Sequence, residues 1–151
     1  MTKEYYLTKL TTVTSVADVL ERELQPTIKD WLRRVNLVPE LVDIPLSDAD
    51  RTGHLPKLYF DLISRLRLAK NVLPPISVAA SAHGQMRRSQ GYSAGMLIEE
   101  SRVLQVATFG ALHLHQSELD QNQVLLDVMV IADEVDAQLK EAVRSLMASE
   151  N

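Results

Sequence analysis

Apolar residues recur three and four positions apart along nearly the whole chain, and this spacing constrains the fold more than any other feature. It is the period of helices that each bury one face, not of strands. Only five of the 151 residues are glycine, which fits the same reading. The spacing predicts an all-α protein, a bundle of about five or six helices with a long C-terminal helix.

Residues 1–14 are rich in threonine and tyrosine without a helical period, and read as an irregular N-terminal arm. Residues 15–151 read as one helical domain. Ser15 and Asp18 are spaced as a helix N-cap and its box partner. Val16, Leu20, Leu24, Ile28, Trp31 and Val35 then form one apolar stripe. Pro26 interrupts it, so a kink or a junction of two helices is expected at residues 22–26. The segment NLVPELVDIPLSDADRTG reads as a connection, with Asp48 or Asp50 capping a short turn. Pro56 suits the first turn of a helix whose buried line is Leu55, Leu58, Tyr59, Leu62 and Leu66. Asn71 to Pro75 breaks the pattern.

A fourth helix is expected from about Ile76 to Gln90, with Gly91 in the left-handed position just past its end. Ser93 caps a fifth helix running to about His115. On the fourth, Ile76, Ala79, Ala80, His83, Met86, Arg87 and Gln90 share a face. On the fifth, Leu97, Glu100, Leu104, Ala107, Ala111 and Leu114 share one. Polar residues therefore interrupt both stripes within the stretch HGQMRRSQGY and shortly after it. The short turn makes the two helices an antiparallel hairpin, which brings Arg87 and Glu100 together. A buried carboxylate strongly favours a partner, and the planar guanidinium can bind both of its oxygens. The first reading of His83, Arg87, Gln90, Tyr92 and Glu100 is thus structural, an ion pair with Gln90 and Tyr92 satisfying leftover groups. The second is a small polar pocket lined by His83, Arg87 and Glu100. Catalysis ranks last, because no nucleophile–base pair or pair of carboxylates can be named. His83 has no assigned partner.

The last helix, from about Glu118 to Met147, carries a heptad seam of Val128, Ala132, Val135, Leu139, Ala142 and Leu146. Asp133, Glu134, Asp136, Lys140, Glu141 and Arg144 occupy much of the rest. The seam packs on its own domain, or joins two protomers as a parallel coiled coil. We expect a homodimer held by this signalling-type helix.

Composition narrows the functional classes. The net charge of −4 argues against a nucleic-acid binder, which needs a basic face. Zero cysteines exclude disulfides, thiolate metal sites and cysteine nucleophiles. No signal-peptide-like start and no membrane-length apolar run is present, so a cytoplasmic location is expected without membrane association. His113, His115 and Glu118 lie close in sequence, but two histidines two apart on a helix face different ways, so no metal site is expected. Haem would need an apolar pocket around its histidine, and His113 is the least implausible candidate; no cofactor is expected. The clusters Trp31-Leu32-Arg33-Arg34, Arg65-Leu66-Arg67 and Met86-Arg87-Arg88 read as solvated helix faces.

The pattern H-x-x-x-R-x-x-Q-G-Y followed by MLIEESRVL resembles the N-terminal domain of the RsbT co-antagonist RsbRD family, also found at the front of bacterial sensor histidine kinases. The matching positions are His83, Arg87, Gln90, Gly91, Tyr92, Glu100, Arg102 and Leu104. Upstream, Leu46, Asp50, Arg51, His54, Leu55 and Pro56 are similar to the family's approach to this motif, and LLDVMVIADEVDAQLKEAVRS to its exit helix. The likeness spans about residues 16–147. It implies a sensory or regulatory input domain of bacterial signal transduction, dimeric, non-enzymatic in itself, and passing a signal through helix packing to an output module. It implies no particular ligand, and leaves a globin-like fold without haem beside a plainer bundle. The other functional reading is a stand-alone protein–protein adaptor without a small-molecule ligand.

Overall fold

The computed structural model describes residues 13–148. The N-terminal arm lies outside the described residues except for Val13 and Thr14. The described chain is helical: α1 Val16–Arg22, α2 Leu24–Val35, α3 Pro39–Val42, α4 Asp48–Thr52, α5 Leu55–Arg67, α6 Val78–Ser89, α7 Ala94–Leu114 and α8 Val124–Ala148. It is the expected all-α bundle with a long C-terminal helix. Five helices of twelve residues or more build it. No described helix is long and apolar enough to cross a membrane.

The local punctuation follows from side-chain chemistry. Ser15 Oγ accepts from the Asp18 amide at 3.1 Å, opening α1. The helix then breaks at Glu23, because Pro26 has no amide proton and its ring crowds the carbonyl four residues earlier. The connection after α2 contains two short helices rather than only a turn. The second is capped by Ser47, whose hydroxyl accepts from the Asp50 amide at 3.1 Å, and not by Asp48 or Asp50. Ser77 and Ser93 cap α6 and α7 in the same way. Gly91, at φ 91°, makes the turn between them, a backbone angle that a Cβ disfavours. The last helix starts at Val124, later than expected. A 3-10 turn at Gln116–Glu118 intervenes, and Thr14 donates a 2.8 Å hydrogen bond to the Glu118 carbonyl there.

The core is one cluster containing Leu20, Trp31, Leu55, Tyr59, Leu62 and Ile131, all almost fully buried. Burying each such side chain contributes roughly 1.5–3 kcal/mol. The stripes of α1–α2 and of α5 are buried as read, with Leu24 and Leu66 only partly so. Two stripes differ from expectation. On α6 the buried line is Ala80, His83, Gly84 and Arg87, while Ile76 and Met86 are exposed. On α7, Leu114 is 80% exposed, while Ala111 and Leu112 before it are buried.

The heptad seam of α8 packs on its own domain. Val135 and Ala142 are buried, and Val128, Leu139 and Leu146 pack partly buried against the core; Ala132 is intermediate. The physical reason is α6, whose small and polar face leaves room for a helix to close on it. Gly84 is the point of closest approach: a Cβ there would lie 2.1 Å from the Ala142 carbonyl oxygen. Glu134 is also buried rather than solvated, held by Arg65 at 3.3 Å and by Gln138 at 2.9 Å.

Candidate functional site: a buried polar cluster and its cavity

Arg87 is 1% exposed, yet every polar group it carries is placed. Its Nε donates to Glu100 Oε1 at 3.1 Å, and Nη2 lies 3.1 Å from Glu100 Oε2, a two-pronged pair across the α6–α7 hairpin. Nη1 donates to Gln90 Oε1 at 2.8 Å, and Nη2 to the Arg51 carbonyl at 2.6 Å. The guanidinium also sits 4.8 Å from the centre of the Tyr92 ring. The Tyr92 hydroxyl donates to Glu100 Oε2 at 2.7 Å. The five residues expected to cluster thus come together, His83, Arg87 and Tyr92 on the Glu100 carboxylate and Gln90 on Arg87, and the expected Arg87–Glu100 pair is formed.

Sequence reasoning from periodicity missed three members. Arg51, in α4, is buried and donates to the Leu41 carbonyl at 3.1 Å, the Ile44 carbonyl at 2.6 Å and the Tyr92 hydroxyl at 3.0 Å. His54 stacks on His83 with ring centres 3.7 Å apart and planes 9° from parallel. Trp31 meets His54 edge-on and donates its indole N–H to the Glu100 carbonyl at 3.3 Å. Arg51 and His54 lie in and after a very short helix, where no apolar period exists to mark them. The only signal was their place in the family-like stretch before the motif.

The charges follow from these contacts. Burial pushes the Glu100 carboxyl up, but His83, the Arg87 guanidinium and the Tyr92 hydroxyl together outweigh it and hold it below its ordinary value. Burial and the neighbouring Glu100 carboxylate push the Tyr92 phenol well up, so it stays a donor. Burial also holds His54 well below the usual imidazole value, with His83 and Arg87 adding to the effect. His83 is lowered by burial despite the pull of Glu100. Both imidazoles are therefore neutral near pH 7.

Hydrogen-bond chemistry then assigns their tautomers. His83 Nε2 lies 3.4 Å from Glu100 Oε1, which can only accept, so Nε2 carries the proton. His83 Nδ1 is left as a buried acceptor with no partner among the described residues. Arg87 Nη2, which can only donate, lies 3.4 Å from His54 Nδ1, so the His54 proton is on Nε2.

His54, His83 and Glu100 each bring a ligand-type atom within 4.8 Å of the others. The set nevertheless suits a cation poorly. Both Glu100 oxygens already face two donors each. In-plane lone pairs of two parallel rings cannot converge on one ion at bonding distance. Arg87 adds a fixed positive charge directly behind the carboxylate.

A cavity of about 30 Å³ adjoins the cluster. His54, His83, Trp31 and Glu100 line it on one side, and Gln138 and Ala142 of α8 on the other. Arg87 does not reach it. The other histidines are elsewhere: His113 is exposed, while His115 joins a surface network with Glu118 at 2.8 Å and Glu23 at 3.1 Å. In the basic clusters, Arg33 and Arg34 pair with Asp30 on their own helix, and Arg67 pairs with Asp18 and Glu21 of α1.

Comparison with protein-family models, curated proteins and solved structures finds no match to this chain.

Proposed function

We propose that this chain is a cytoplasmic sensory or regulatory input domain of bacterial signal transduction, with the His54–His83–Glu100 region as its input and α8 as its output. One observation carries the reading. His83 is the immediate neighbour of Gly84, the residue at which α6 and α8 touch backbone to backbone. A change in what His83 contacts therefore has no soft side chain to absorb it before it reaches α8. Packed helices respond to such changes by discrete shifts. The resemblance of the HGQMRRSQGY stretch and of the last helix to the RsbRD-like sensory domains supports the same reading. An output module or a second protomer would receive the shift, and the domain itself would carry out no reaction.

Amide hydrogen exchange of the intact chain tests it. His83→Gln should accelerate exchange along residues 131–146 of α8 by tenfold or more while sparing the far end of α2. A change confined to α6 and the α6–α7 turn would refute transmission.

The adaptor reading has its own support. Phe60, Ile76 and Val78 are exposed around an apolar groove of about 630 Å³ beside α5. Clusters of exposed large apolar side chains mark protein-binding surfaces. If His83→Gln leaves α8 unchanged while Phe60→Asp alters self-association measured by light scattering, the adaptor reading replaces the sensory one.

A further inference from the structure

We infer that the cavity between His54, His83 and α8 binds one small neutral molecule carrying both a hydrogen-bond donor and an acceptor, of about two or three non-hydrogen atoms. The inference rests on the sensory reading above and names the class of ligand it would take.

The polar accounting sets the ligand's chemistry. His83 is 8% exposed, lines the cavity, and has an Nδ1 acceptor without a donor among the described residues. Buried polar atoms are seldom left so, because the lost hydration is not replaced. His54 lines the same cavity. Its Nε2 proton, assigned by the contact of Nδ1 with Arg87, has no described partner. One unused acceptor and one unused donor on stacked rings call for a molecule that both gives and takes a hydrogen bond, as a hydroxyl does.

Charge excludes ions of either sign. An anion would enter beside Glu100, which lines the cavity, while Arg87 and Arg51 lie behind it and do not. A cation would find the carboxylate's oxygens already committed and Arg87 close by. Size sets the upper limit. A water needs at least about 10–15 Å³ of such space, so 30 Å³ takes a ligand two to three times that size. Trp31, Leu104 and Ala142 supply apolar walls for a short alkyl part.

Nitrogen NMR of the intact chain labelled at histidine tests this, with methanol as the probe. His83 Nδ1 and His54 Nε2 should shift together and saturate, with a dissociation constant no tighter than about the millimolar range, the ceiling for a ligand of two heavy atoms. The exposed His113 serves as the internal control and should respond only linearly. His83→Phe should abolish the saturable response. If that variant does not fold, the concerted shift of the two wild-type nitrogens carries the test alone. A linear response at all histidines, or saturation by xenon without a methanol response, overturns the inference. Saturable binding with no change in α8 exchange upholds the site and refutes the sensory reading instead. A methanol-dependent change in α8 with both nitrogens silent overturns the site.

Discussion

Arg87→Ala removes the cation that pairs with the buried Glu100 carboxylate. Glu100 is 3% exposed and would keep only the Tyr92 hydroxyl and the His83 Nε2 proton as donors. Breaking a buried pair by deleting one partner costs about 3 to 5 kcal/mol. Loss of the donor to the Arg51 carbonyl, now bonded at 2.6 Å, puts the value toward the upper end. For a chain of this length that corresponds to a fall in Tm of roughly 6 to 20 °C. Urea denaturation followed by circular dichroism at pH 7 measures it. The sign of the pH dependence is a second check. In the wild type Glu100 is held low, so its contribution is present above the unfolded carboxyl value and is lost as pH falls through the folded one. Without Arg87, burial dominates, the carboxyl takes up a proton more readily in the folded state, and the deficit of the variant shrinks from pH 7 to pH 5. Pairing Arg87→Met with Glu100→Leu should recover most of the loss, because no unpaired charge then remains. A deficit below about 1 kcal/mol at pH 7 would mean that the pair is effectively solvated, and would refute the reasoning.

Tyr92→Phe deletes a hydroxyl that bridges Arg51 and Glu100 and should cost about 2 kcal/mol in the same assay, with no volume change to confuse it. Gly84→Ala drives a methyl into the Ala142 carbonyl and should cost about 1 to 3 kcal/mol; a neutral result would mean that α6 and α8 slide freely. Both stacked imidazoles are held below their unfolded value of 6.5, so the folded state takes up fewer protons and stability falls as pH drops from 6.5 toward about 5. The slope is at most about 1.4 kcal/mol per pH unit for each proton withheld, and His54→Phe should flatten it. Denaturation curves from pH 7.5 to 5 that superimpose would contradict the neutral, stacked pair.

The residue types and their spacing determined most of the helices and one essential contact. Ser15, Ser93, Pro26, Pro56 and Gly91 act within a turn or so of where they stand, so their effects are local and readable. The Arg87–Glu100 pair was readable for the same reason: a short turn leaves a hairpin few ways to pack, and each charge interrupts an apolar stripe. Tertiary structure decided what no local rule reaches. Arg51 and His54 sit in short, aperiodic segments and enter the cluster only because α4 and the start of α5 fold over the hairpin. The seam of α8 has the same spacing whether it faces a second protomer or its own domain. What turned it inward is the space above Gly84, since a glycine against a backbone carbonyl admits a helix that any larger side chain would hold away. The unpaired nitrogen of His83 is likewise a property of the packed state, because an exposed imidazole finds its partner in water.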